Sequence, residues 1–255
     1  MNDPRQFQKT GVLEIAANSA ASALAAQAGG ATRVELCAAL ELGGLTPSHA
    51  TIAITRERLG IPIHVLVRPR AGDFVYDDTE CEAMLRDIED CKARGCDGVV
   101  LGVLDTDGNV DVQRSRALIE AARGMAVTFH RAFDVARNPE RSLEDVIALG
   151  CQRLLTSGQR ADALAGAPLI RELVERARGR IEVMAGAGIT PGNIAAIASA
   201  SGTHAFHASA KQSRASSMRL DGSNLPGLTG PSWHTDVQQV RALVGALQAL
   251  SANRG

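Results

Sequence analysis

Short apolar or alternating segments recur along the whole chain, and each is followed by a longer stretch with charged residues at helical spacing. The first kind has the two-residue period of a strand, and the second the 3.6-residue period of an amphipathic helix. Strands are predicted near 12–16, 33–37, 62–68, 98–103, 126–130, 152–156, 181–185 and 204–208. Helices are predicted near 19–28, 48–58, 78–94, 111–123, 139–149, 161–177, 191–200 and 235–250. Strict alternation of the two kinds implies a parallel sheet with helical crossovers. Pro47-Ser48, Asn138-Pro139 and Thr190-Pro191 supply helix starts, where a missing N–H is tolerated, and Gly29-Gly30, Gly60, Gly95, Gly124, Gly150 and Gly179 supply helix ends.

Eight strand-helix units need roughly 250 residues, and the chain has 255. The expected fold is therefore α/β, a single (β/α)8 TIM barrel over residues 1–255 with a flexible start at 1–11. An open doubly wound sheet is the alternative, but the glycine-rich turn expected after its first strand is replaced by Asn18-Ser19-Ala20. The Ser-, Gly- and Pro-rich stretch 209–233 after the eighth strand is too long for an ordinary connection and reads either as a lid or as a disordered linker.

Composition narrows the picture. Hydrophobic residues make up 45% of the chain and aromatic ones only 3%, so aliphatic packing carries the core. A net charge of -1, from 27 basic and 28 acidic residues, offers no global field for nucleic acid or a membrane surface. The partners left are a metal ion or a small anionic ligand. No apolar run approaches a membrane span, and the start MNDPRQFQKTG lacks a signal-peptide core, which predicts a cytoplasmic protein. Five cysteines, an odd number without CxxC spacing, predict reduced thiols.

Alternation also sorts side chains by face. It sends Leu13, Ile15, Val34, Leu36, Ile63, Val65, Val67 and Phe206 outward to the helices. Glu14, Arg33, Glu35, Cys37, His64, Leu66, Arg68, Thr128, His130 and His207 then point into the barrel. Buried carboxylates are costly unless paired, so this interior implies a satisfied network or a ligand that completes one. Arg33, His64 and Glu182 come early in their strands and read as structural. Glu14, Glu35, Arg68, His130 and His207 read as the site, because barrels of this kind place theirs at the C-terminal ends of the strands.

The loop AGAGIT (185–190) after the seventh strand and HASA (207–210) after the eighth make Gly186, Gly188, His207 and Ser209 a candidate anion site. Arg70 and Asp73, and Arg131 and Asp134, supply further polar groups around the mouth, either for chemistry or only to stitch loops. Cys81, Cys91, Cys96 and Cys151 read as packing residues on or beside helices.

The segments GGATRVELCAALELGGLTPS, RPRAGDFVYDD, DGVVLGVLDTDGNVD, VTFHRAFD and RLLTSG strongly resemble the copper homeostasis protein CutC family, from about Leu13 to the last helix. That resemblance implies a (β/α)8 barrel, a role in cytoplasmic copper handling, and a copper(I) site at cysteines ending the first two strands. Cys37 matches the second of these, but Ala16 stands where relatives carry the first, and Ala208 where some relatives have cysteine. Ala185 and Ala187 replace the more usual proline and glycine after the seventh strand. Copper(I) prefers paired soft ligands, so a lone Cys37 is a poorer trap and needs help from His130, His207 or a second subunit.

Two functions compete. One is copper binding through Cys37. The other is an enzyme acting on a small phosphorylated or carboxylated metabolite, in which Glu14, Glu35 or His130 moves a proton, Arg68 holds an acidic group, and the two loops cradle an anion. A third, non-catalytic role as a binding or assembly protein stays open, since barrels self-associate through their outer helices as homo-oligomers.

Overall fold

A computed structural model describes residues 11–218 and 232–252. Eight parallel strands, β1 (Val12–Ala17), β2 (Arg33–Leu36), β3 (Ile63–Leu66), β4 (Gly98–Leu101), β5 (Ala126–Phe129), β6 (Arg153–Thr156), β7 (Glu182–Gly186) and β8 (Ala205–Ala208), pair in sequence order. The last pairs back with the first, with Glu14 opposite His207, and this closes a (β/α)8 barrel. The helices between and after them are α1 (Ala20–Gly29), α2 (His49–Arg58), α3 (Asp78–Ala93), α4 (Val112–Ala121), α5 (Pro139–Ala148), α6 (Ala167–Ala177), α7 (Ile194–Ser201) and α8 (Val237–Ala252).

The helices start where side chains satisfy their free amides. Ser19, Ser48, Asp111 and Asn138 each accept from a first-turn N–H, and Asp77 forms a reciprocal capping box with Glu80. Leu13, Ile15, Val34, Leu36, Ile63, Val65, Val127, Phe129 and Phe206 are buried in the apolar cluster between sheet and helices. Inside the barrel, Leu155, Met184 and Ala205 form one small apolar group, and Cys37, Leu66 and Val100 another.

Several boundaries differ from expectation. α6 begins at Ala167 rather than near 161, because Gly158 and Gly166 pack backbone to backbone, so close that a Cβ on Gly158 would lie 2.2 Å from the Gly166 carbonyl oxygen. α7 begins at Ile194; Thr190-Pro191 sits in the loop before it, where Thr190 N–H donates to the Asn193 side chain. Gly29 is the last residue of α1 and lets Val240 of α8 approach, and Gly60 is not left-handed.

Of the stretch 209–233, residues 219–231 lie outside the described residues, as do 1–10 of the expected flexible start. The remainder forms an antiparallel ribbon of β9 (Lys211–Arg214) with β10 (Ser232–Thr235). The ribbon is tied to the barrel by Asn18 Nδ2 donating to the Trp233 carbonyl and by Thr235 N–H donating to Ser22 Oγ. All five cysteines are free thiols. Among the described residues no helix is long and apolar enough to cross a membrane.

Candidate functional site

A cavity of about 630 Å³ opens at the C-terminal ends of the strands. Of the residues singled out from sequence, Glu35, Cys37, Arg68, His130, Gly188, His207 and Ser209 line it, while Glu14 and Gly186 do not. Alternation places Glu14 and Glu35 on the same inner face, but the β1–β2 register sets Ala16, not Glu14, beside Glu35. Glu14 thus lies one layer below the cavity. Gly186 ends β7, and a Cβ there would fall 2.5 Å from Leu155, so its small size makes room for that leucine.

Beneath the cavity, Glu14 is fully buried and both its oxygens are engaged: Oε2 accepts from Arg33 Nε, and Oε1 is 2.8 Å from His207 Nδ1. Burial, the largest single influence, pushes its pKa up, yet the Arg33 charge and the His207 contact outweigh it and hold the carboxyl below the usual range. Burial lowers the His207 pKa, but Glu35 and Glu14 more than reverse this and raise it. Glu14, Arg33 and His207 form a paired, hydrogen-bonded floor, worth little net stability but costly to break.

Glu35 stands just above that floor. It is 5% exposed, and its Oε2 has no hydrogen-bond partner among the described residues. Burial raises its pKa to about 7, with Glu14 adding to the rise and His207 and Arg33 opposing it. A carboxyl poised near neutrality, with one oxygen unbonded and on the wall of a cavity, suits proton transfer.

His130, at the end of β5, has room for its ring because Gly102 lacks a side chain; a Cβ there would lie 2.5 Å from His130 Nδ1. Nδ1 accepts from Ala132 N–H at 3.1 Å, so in the neutral ring Nε2 carries the proton. Burial, helped by the charge of Arg68, lowers its pKa to about 3. His130 is therefore not a group that titrates near neutrality. It is a fixed neutral N–H donor, and its buried Nε2 has no partner.

Arg68 donates through Nη1 to the Leu42 and Gly44 carbonyls and through Nη2 to Gly72, fastening the loops after β2 and β3. Its Nε is buried without a partner. Phe74, which no periodicity in its loop signals, sits between Arg68 and His130, with the guanidinium carbon and the imidazole centroid each 5.0 Å from the centre of its ring.

The remaining polar groups around the mouth mostly hold one another. Arg70 pairs with Asp73 and Glu80. Arg131 pairs with Asp134, which also accepts from Thr156, Ser157 and Gln159. Lys211, not anticipated from sequence, lines the cavity with its ammonium 4.8 Å from the Trp233 ring centre.

Cys37 is 1% exposed and donates its thiol to the Ala17 carbonyl at 3.7 Å. Burial pushes the thiol pKa up, and the charges of Glu35 and Glu41 push it further. Copper(I) needs soft, deprotonated sulfur. Ala16 and Ala208 line the cavity where further thiols would be needed. The donor atoms of Glu14, Glu35 and His207 lie within 4.8 Å of one another, but oxygen and imidazole nitrogen suit a harder ion. These residues do not fit a copper(I) centre.

The profile of the CutC family matches residues 11–212. A CutC family protein of Xanthomonas axonopodis pv. citri is 55% identical over 236 residues, covering 92% of this chain and 98% of the relative. One from Chromobacterium violaceum is 54% identical over 241 residues, again covering 92% and 98%. Among solved structures, the "Putative Copper Homeostasis Protein CutC from Streptococcus agalactiae" superposes with a TM-score of 0.75 at 33% identity, covering 78% of this chain and 98% of that one. With the barrel and the matched segments in agreement, this chain belongs to the CutC family.

Proposed function

We propose that this protein is an enzyme that moves a proton on a small acidic metabolite held in the mouth of its barrel. The observation that carries this reading is Glu35, a carboxyl with a pKa of about 7 and an Oε2 without a hydrogen-bond partner, which lines a cavity that also holds a neutral histidine. Groups whose environments drive their pKa values apart are the signature of divided acid–base labour. As carboxylate, Glu35 takes a proton from a carbon beside a carbonyl. The electron pair of that C–H bond moves onto the carbonyl oxygen, which accepts a hydrogen bond from His130 Nε2. Glu35 then returns the proton to the same carbon or, where that carbon bears a hydroxyl whose own proton has passed to the oxyanion, to the former carbonyl carbon as the hydroxyl becomes the new carbonyl. Arg68 Nε offers charge to an acidic group of the substrate.

Copper handling is the other reading, and family membership together with Cys37 on the cavity wall supports it. Its donor set is a single protonated thiol, so the geometry favours the organic ligand.

The test is a thermal-shift screen of carboxylated and phosphorylated metabolites, followed by incubation of each stabilising compound with the protein in D2O. The expected result is loss of one carbon-bound proton signal by NMR, slowed about a hundredfold or more in Glu35→Gln. Absence of any stabilising compound, or exchange that Glu35→Gln leaves unchanged, overturns the reading.

A further inference from the structure

One wall of the cavity is built differently from the rest. The loops after β7 and β8 contribute Ala187, Gly188, Ile189, Thr190, Ser209, Ala210 and Lys211 to its lining. Ala187 and Gly188 are both left-handed, with φ of 77° and 69°, and Ala210 is left-handed at 44°. An alanine in this region is strained, and the surrounding structure must hold it there. Part of that restraint is Asn193, whose Nδ2 donates to the Gly188 carbonyl while its Oδ1 accepts from Thr190 N–H.

The consequence lies in where the amides go. The backbone N–H groups of Gly188, Ile189, Ser209 and Ala210 donate to no other described residue, and neither does the Ser209 hydroxyl. Gly188 is exposed, but Ile189 and Ala210 are buried, where a backbone donor is normally satisfied; successive free amides in a turn can hold an anion. Charge agrees with this. Among the residues lining the cavity the fixed cations are Arg68, Arg131 and Lys211, whereas the carboxylates are only Glu35 and Asp134, and Asp134 is paired with Arg131. Arg68 and His130 also line the cavity, on side chains 6% and 5% exposed, and each keeps a buried donor without a partner, Nε and Nε2 respectively.

A carboxylate presents two oxygens in one plane. Four amides from two different loops, a hydroxyl and an ammonium call for a tetrahedral group with several acceptor oxygens. We propose that the loops following β7 and β8 form a phosphate cradle, and that the cavity takes a small phosphate monoester whose far end reaches Arg68 and His130. This rests on the proton-transfer reading only for what happens at that far end, over Glu35. The cradle itself does not depend on it.

Titration of inorganic phosphate followed by 31P NMR line broadening, with acetate at matched ionic strength as comparator, tests the cradle. Wild type should bind phosphate saturably and in preference to acetate. Ser209→Asp, which puts a negative charge into the cradle, and Lys211→Gln, at an exposed position where folding is not at issue, should each weaken binding by about tenfold or more. Glu35→Gln should retain it. No saturable phosphate binding, equal binding of acetate, or binding that neither cradle variant alters overturns the proposal. Glu35-dependent exchange confined to acids without phosphate would also overturn the cradle while leaving the proton-transfer reading in place. Phosphate bound through the cradle, with no Glu35-dependent exchange on any phosphate ester, would support the cradle and overturn that reading instead.

Discussion

At the residue scale, Cys37 shows how environment sets chemistry. A thiol binds copper(I) as thiolate, and deprotonating Cys37 means placing a negative charge beside Glu35, within a site that already raises the pKa through burial. Ala16 and Ala208, which line the cavity with Cys37, bring no second sulfur to share the ion. The expected outcome of titrating copper(I) against a competing chelator is the same affinity for wild type and Cys37→Ala. A loss of affinity of more than about tenfold in the variant, equivalent to roughly 1.4 kcal/mol, would return Cys37 to a copper role. The contrast with Glu35 is instructive, because one burial effect silences a thiol near neutral pH and brings a carboxyl into its working range.

At the scale of elements, the fold and the site meet at the ends of strands, and glycines separate the two. Gly102, just after β4, leaves the space that the His130 ring fills. Gly102→Ala would push its methyl to within 2.5 Å of Nδ1, so the ring must turn and give up its bond from Ala132. That change should cost about 1–3 kcal/mol and abolish the exchange assigned to the site. Gly245 lies exposed within α8, and a Cβ there meets nothing within 4 Å. Gly245→Ala should therefore stabilise by about 1 kcal/mol, a rise of roughly 2–4 °C in Tm, without touching activity. Thermal unfolding of the two variants distinguishes a glycine that serves the site from one that is merely tolerated, and a stable, active Gly102→Ala would refute the assignment. The main elements were legible because their periodicity repeats in every unit and end signals mark many of them. The ribbon of β9 and β10 was not, since KQSR is polar throughout and its pairing is set by contacts some twenty residues away. Nor was the difference between Glu14 and Glu35, because a period of two tells inside from outside and says nothing about height along the barrel axis. Phe74 and Lys211 lay in segments where no period operates.

For the whole molecule, the buried charges act in opposition as pH falls. Burial holds His64 and His130 at about 3, far below the value near 6.5 of an unfolded histidine. Below about pH 6.5 the unfolded chain takes up a proton at each while the native protein does not, which destabilises the fold by about 1.4 kcal/mol per pH unit for each group. Glu35 works the other way: raised to about 7, it is protonated in the native state while its unfolded counterpart stays ionised down to about 4.5, so it stabilises as pH falls through that window. His204 and His207, both raised, are protonated in native and unfolded chains alike below about pH 6.5 and add no slope there. Two protons against one leave a net loss of about 1.4 kcal/mol per pH unit from these groups between about pH 6.5 and 4.5. Below that window Glu35 drops out, and Glu14, held low by Arg33 and His207 against its burial, adds a third proton, so the acid limb steepens. Ion-paired surface carboxylates add in the same direction at low pH, which makes the comparison of variants more telling than the absolute slope. Denaturant unfolding at intervals from pH 7.5 to 4.5 should find the limb flattened by one proton in His64→Leu and steepened by one proton in Glu35→Gln. Two variants displaced from wild type by a constant amount at every pH would show that neither group titrates as its surroundings dictate, and with that the poised Glu35 on which the proposed chemistry depends would be lost.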